Sequence, residues 1–259
     1  MNTISKHKHM IIIIIIYVFF TSLGSFAINS ELAIDSANSN YKNGNYENAI
    51  KYYESILSQG YESASIYYNL GNAYFRIKDI PKSILNFERA KLLSPKDDDI
   101  NFNLNLTSGL IVDKVNNIPE FIVTAWFKNI LNMFSVNIWA AISLVLFVLS
   151  LLIILFFLFS KRAYLRKLFF WTGSLIFIIS LICLFIAVES RVTIIDNHSA
   201  IVMQAVITAK SSPSDSSTDL FIIHEGTKVT INEKLDDWNK IKLSDGNVGW
   251  VKSKDIEEI

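Results

Sequence analysis

Residues 64–97 read ASIYYNLGNAYFRIKDIPKSILNFERAKLLSPKD. Apolar residues recur there at helical spacing on either side of a turn at Lys78 and Asp79. A comparable turn, Gly44-Asn45, stands 34 residues earlier, and a period of that length marks stacked helical repeats. With Ala64 as position 1, Tyr67, Leu70, Gly71, Tyr74, Phe87, Ala90 and Pro95 fall on positions 4, 7, 8, 11, 24, 27 and 32, and Ser83 on position 20. One period upstream the match is weaker, with Ala33, Ala37, Ala49, Tyr53 and Ile56 on positions 4, 8, 20, 24 and 27. Small residues at positions 8 and 20 let the two helices of a repeat approach closely, and the large ones fill the space between neighbouring repeats.

This pattern resembles the tetratricopeptide repeat, departing from it only in having Ser83 where alanine is usual. The resemblance implies pairs of antiparallel helices over residues 28–118, with a concave face lined by positions 2, 5, 9 and 12 of each first helix. In the two copies those positions are Glu31, Ile34, Asn38 and Tyr41, then Ser65, Tyr68, Asn72 and Phe75. Asparagine at position 9 in both copies suits hydrogen bonding to a peptide backbone or terminal carboxylate, with Arg76 beside it as a charge partner. The alternative is that both asparagines are ordinary helix-surface residues. The candidate groove is therefore Asn38, Tyr41, Tyr68, Asn72, Phe75 and Arg76. After Pro95, KDDDINFNLNLTSGL places three aspartates at a helix start and Leu104 on position 7 of an incomplete third copy, which reads as a cap.

The chain as a whole is too apolar for a soluble domain of 259 residues: 51% of it is hydrophobic and its mean hydropathy is +0.33. Residues 136–160 and 168–188 are uncharged and long enough to cross a hydrocarbon core of about 30 Å, so a transmembrane helical hairpin is expected. Between them KRAYLRK (161–167) concentrates four cations, which the positive-inside rule assigns to the cytoplasm. A basic start, an apolar run and small residues at Ser25 and Ala27 read as a signal peptide over 1–27. The two signals agree on a bacterial inner-membrane protein with both polar parts in the periplasm. Residues 119–135, with Phe121, Ile122, Trp126, Phe127, Ile130 and Phe134 on roughly one face, read as an interfacial amphipathic helix.

From residue 189 onward the pattern alternates with a period of two between turn signals, which predicts a small all-β antiparallel barrel over 189–259. Asp245-Gly246 supplies a hairpin turn, and Gly249 relieves crowding near Trp250. Trp238 and Trp250 are candidates for a ligand-binding surface, although a barrel this small also needs large apolar residues to be stable.

No catalytic constellation accompanies these modules. The sequence has no phosphate-binding glycine loop, nucleophile elbow or paired-histidine metal motif, and its one cysteine, Cys183, lies in an apolar run. Three consecutive aspartates at 97–99 lack the spacing of a calcium loop. Net charge is zero, so no basic field argues for nucleic acid. No enzyme activity, cofactor or metal is expected.

The stretch "AKSSPSDSSTDLFIIHEGTKVTINEKLDDWNKIKLSDGNVGWVKSKDIEEI" resembles a bacterial SH3-like domain. The order of signal peptide, repeats, membrane hairpin and SH3-like domain is similar to the BatE-like family of the Bacteroides aerotolerance operon. That resemblance implies a non-enzymatic scaffold or adaptor linked to aerotolerance or envelope stress. Its implied partners are membrane proteins with von Willebrand factor A domains and a MoxR-type ATPase system. The alternative is a peptidoglycan-associated protein that works through its SH3-like domain.

Overall fold

The computed structural model describes residues 28–114 and 121–259, so the signal peptide expected over 1–27 lies outside the described residues. The chain folds as two compact units, one ending at Glu62 and one spanning Ser63–Ile259. In the first, α1 (Ile28–Lys42) and α2 (Tyr46–Ser58) pack together through the turn at Gly44, whose φ of +79° suits glycine. Ala37 and Ala49, on positions 8 and 20, are both fully buried.

The second unit opens with α3 (Ala64–Arg76) and α4 (Ile80–Leu93). Each begins where a side chain accepts an orphan backbone N–H: Ser63 from Ile66, and Asp79 from Lys82. Lys78, in the turn between them, has a φ of +66°, the same left-handed conformation as Gly44 one period earlier. Position 8 is the tightest point of the pair. A Cβ on Gly71 would stand 2.8 Å from the Phe87 ring, and Ser83 donates its hydroxyl to the Gly71 carbonyl at 2.9 Å. The cap α5 (Asp98–Ser108) starts at Asp97, whose carboxylate accepts the N–H groups of Asp99 and Ile100.

After a short helix α6 (Ile122–Leu131), α7 (Val136–Phe159) and α8 (Ala163–Ile195) form an antiparallel hairpin. Both are long and apolar enough to cross a membrane, and most of their surface is exposed. They meet along small residues. Ser143 and Ser180 exchange hydroxyl-to-carbonyl hydrogen bonds of 3.0 Å. Seven residues on in α7 Ser150 is buried, and seven back in α8 Gly173 is buried, where a Cβ would stand 3.2 Å from Ile153 of α7. The Leu131 carbonyl accepts from both Trp139 Nε1 (3.3 Å) and the Ser190 hydroxyl (3.4 Å), which pins the corner between α6 and the hairpin. The turn is shorter than the expected loop of 161–167. Only Ser160, Lys161 and Arg162 lie outside helix, and the remaining cations form the first turn of α8. Loss of hydrophobicity does not end a helix when the residues that follow, here Ala163, Leu165, Arg166 and Lys167, are themselves good helix formers.

Helix α8 also continues past the expected end at Val188, so the β segment starts at Ser199. Its strands are β1 (Ser199–Val202), β2 (Val206–Lys210), β3 (Asp219–His224), β4 (Lys228–Leu235), β5 (Trp238–Lys242), β6 (Val248–Lys252) and β7 (Ile256–Glu258). They form one antiparallel sheet in the order β3-β2-β6-β5-β4-β1-β7. The closed barrel expected for this segment is not formed, because β3 and β7 remain edges and β2 meets β6 at a single pair, Lys210 with Trp250. Gly249 is required at that junction, where a Cβ would stand 2.8 Å from the Ala209 Cβ. Ala200, Val202, Ile207, Ile223, Ile241 and Val251 are among the residues that fill the sheet's own core.

The helical repeat and the segment after its cap each touch one open edge of the sheet. On β3, the Asp113 carboxylate accepts the His224 N–H at 2.7 Å and the Thr227 hydroxyl at 3.0 Å, and lies 2.8 Å from His224 Nδ1. On β7, Arg89 of α4 donates to the Glu258 carbonyl (2.6 Å) and pairs with Glu257 (3.2 Å). Between these contacts Ile84, Leu85, Phe87 and Leu104 of the helices share one apolar cluster with Ile201 of β1, with Ile111, Met203 and Ile259 at its rim. Lys228 and Glu88 close the contact with an ion pair of 2.8 Å. Burial alone would raise the Asp113 pKa, but the hydrogen bonds from His224 and Thr227 and the nearby imidazole outweigh it and hold the carboxyl below its ordinary 3.8.

Two outcomes follow from this packing. Gly71→Ala is expected to lower unfolding stability by about 1–3 kcal/mol in denaturant titration, because Phe87 is buried and has nowhere to move. Asp113→Asn is expected to cost about 1–3 kcal/mol at neutral pH. A lowered folded-state pKa contributes stability that is present above the unfolded value and lost as pH falls through the folded one. The gap between wild type and Asp113→Asn should therefore narrow below about pH 4, where a constant gap in melting temperature would refute the role given to the carboxylate.

Candidate interaction surfaces

Three groove candidates lie along one face of α3: Tyr68, Asn72 and Phe75, all half-buried, with exposed Arg76 in the last turn. The cap helix joins this face. Asn103 Nδ2 of α5 donates to Asn72 Oδ1 at 2.8 Å and to the Tyr68 hydroxyl at 3.1 Å. Tyr68 is also held from behind by Phe87, with ring centroids 5.9 Å apart. The carbonyl side of the Asn72 amide is thus occupied, while Asn72 Nδ2 and Asn103 Oδ1 form no other hydrogen bond among the described residues. That leaves one donor and one acceptor, the complement of a peptide unit.

Continuing the 34-residue register into α5 puts Phe102 on position 5 and Leu106 on position 9, the groove positions. They are 67% and 50% exposed, large apolar groups that a terminal capping helix does not need on its surface. Sequence reasoning treated α5 as a cap alone and missed Phe102, Asn103 and Leu106, although the period that located Tyr68 and Asn72 reaches them unchanged. In the first unit, Asn38 accepts a 2.6 Å hydrogen bond from the Tyr53 hydroxyl, and Tyr41 meets Tyr46 edge-on at 5.3 Å.

Trp238 and Trp250 lie on neighbouring strands β5 and β6, on the face of the sheet turned away from its apolar core. Each stands opposite a lysine: Trp238 pairs with Lys252 and Lys240 with Trp250. The ammonium groups sit 5.5 Å and 5.8 Å from the ring centroids, within cation–π range. Trp250 is 8% exposed under this cover, while Trp238 is half-buried and borders a cavity. Among the described residues, no group of three or more His, Cys, Asp or Glu side chains is placed to hold a metal ion.

No curated protein matches the chain. A family model for the tetratricopeptide repeat matches residues 64–97, the helix pair α3–α4 with its flanking turns. Within this chain, then, residues 64–97 are a tetratricopeptide repeat, a fold whose usual work is protein–protein interaction and not catalysis.

Proposed function

We propose that the protein is a non-enzymatic scaffold of a bacterial inner membrane, held there by the α7–α8 hairpin, whose tetratricopeptide groove binds an extended segment of a protein partner. The observation that carries this reading is the row formed by Tyr68 and Asn72, on a repeat identified by its family, with Asn103, Phe102 and Leu106 of the helix that follows it, which puts a polar pair at the centre and exposed apolar groups beside it. Asn38 and Tyr41 carry the same proposal for the first helix pair, taken on its own.

The membrane placement is supported by the hairpin's surface. A buried core helix of a soluble protein would hide its apolar side chains, whereas only 11% of the apolar window of α7 and 22% of that of α8 is buried. Lys161, Arg162, Arg166 and Lys167 at the turn favour the cytoplasmic side for that end, which leaves the repeats and the sheet in the periplasm. Helix α6, with Phe121, Ile122, Val123 and Trp126 all more than 60% exposed, would then lie at the lipid headgroup level.

The sheet is read as an SH3-like module that adds a second partner contact, raising the effective concentration of the first. On the BatE-like reading, the partners are von Willebrand factor A membrane proteins working with a MoxR-type ATPase system in aerotolerance or envelope stress. A second reading, cell-wall binding through the sheet, draws on the half-buried Trp238 beside its cavity.

Affinity capture from detergent-solubilised membranes tests the groove. The full chain should retain a partner that is lost when Asn72→Ala and Phe102→Ala are combined, while both proteins melt at similar temperatures. Retention of every bound protein by the double variant refutes the groove. Cysteines placed at Ser160 and Ser214 should label from opposite sides of the membrane in intact cells, and equal labelling by an impermeant reagent would overturn the topology.

A further inference from the structure

On the outer face of the sheet a cavity of about 510 Å³ is lined by Trp238, Thr208, Lys210, Lys252, Lys254 and Asp215, among others. That volume lies within the range of about 300–1,000 Å³ usual for ligand sites. The lysines come from three separate places, β2, β6 and the 3₁₀ turn Ser253–Asp255, and all three line the cavity that holds Asp215. Lys252 Nζ is 2.6 Å from Asp215 Oδ1, and Lys210 and Lys254 add attraction through space. The hydrogen bond from Lys252 is the largest of the causes that hold the Asp215 carboxyl below its ordinary range.

Asp215 does not belong to the sheet. It is carried by the serine-rich loop 211–218, which is tied to itself by Ser217 hydroxyl bonds to the Ser212 and Ser214 carbonyls at 2.9 and 2.8 Å. Its side chain is 75% exposed, and an exposed ion pair is weak. Lys210 has a second acidic partner in Asp219, and Asp255 also lines the cavity, so Lys252 and Lys254 are the cations that an incoming ligand would gain. The chain thus presents a side-chain carboxylate of its own to Lys252, beside the Trp238 ring and with Lys254 in the same cavity.

We propose that this cavity binds an acidic peptide segment of a partner. A carboxylate of the partner replaces Asp215 on Lys252 and Lys254, and an adjoining apolar side chain rests against Trp238. Loop 211–218 is then a tethered competitor: the site opens only in the fraction of molecules whose loop has moved aside, and apparent affinity falls by that fraction. The inference deepens the second-contact reading of the sheet and rests on it, but it is measured separately from the groove.

The test uses the full chain in detergent micelles and a fluorescein-labelled hexaglutamate peptide with one central phenylalanine, read by anisotropy at low salt. Asp215→Asn should bind it about three- to tenfold more tightly than wild type. Adding Lys252→Ala should remove the preference over an otherwise identical hexaglutamine peptide. Equal affinity of wild type and Asp215→Asn, or equal binding of the two peptides, overturns the proposal. So does tighter retention of Asp215→Asn on sacculi or phosphatidylglycerol vesicles without any gain for the acidic peptide, since the cations would then serve the envelope. Because Asn72→Ala leaves this cavity intact, capture retained by the groove variant with peptide selectivity kept sinks the groove alone, whereas capture lost in that variant with no peptide selectivity in any protein sinks this proposal alone.

Discussion

The contact between α4 and β1 is the constraint on which the second unit depends. A seven-stranded sheet that does not close leaves two rows of unpaired backbone groups, and such edges invite pairing with other chains. Here the helical repeat and the segment after its cap meet one backbone group on each edge. Asp113 takes a backbone N–H of one edge and Arg89 a backbone carbonyl of the other, while Ile84, Leu85 and Phe87 meet Ile201 between them. The close approach of α3 to α4 at Gly71 matters for the same reason, because it holds Phe87, and with it this face of α4, in place. The second helix of the repeat faces the sheet, and Tyr68 of the first helix packs against the same cluster from behind through Phe87.

Much of the architecture was legible in the chain because it rests on periodicities. The 34-residue period located the turns at Gly44 and Lys78, and both adopt the left-handed conformation that the shared geometry demands, even though the second is a lysine. Uninterrupted apolar runs located α7 and α8. Helix ends were less legible, because polarity and helix propensity are different properties: Arg166 and Lys167 leave the apolar run without leaving the helix. Alternation also reveals strands without revealing their order. Nothing local in the β segment states that β2 and β6 meet at only one pair.

Contacts between modules were the least legible. Asp113 lies in an aperiodic stretch after the cap, more than a hundred residues before His224, and nothing about an isolated aspartate announces a partner so distant. Asp215 reads in the sequence as one more polar loop residue, and its place above Lys252 emerges only when the loop folds back over the sheet. Asn72 lies between these cases. Its position was set by the repeat, whereas its orientation is set by Asn103, which turns a lone amide into a paired one with a defined donor and acceptor left over. The candidate site thus has a hydrogen-bonding direction that two unlinked surface asparagines would lack.

Helix α8 has 33 residues, which at about 1.5 Å per residue gives a rod of about 50 Å, well beyond a hydrocarbon core of about 30 Å. It begins beside the basic turn and ends three residues, Asp196 to His198, before β1. So short a tether leaves little slack to absorb movement, and serine contacts at Ser180 and Ser190 lock the rod to its neighbours along the way. The sheet and the basic turn at Arg162 are thus the two ends of one continuous rod, so that a change in the tilt of α8 at either end has to be taken up at the other.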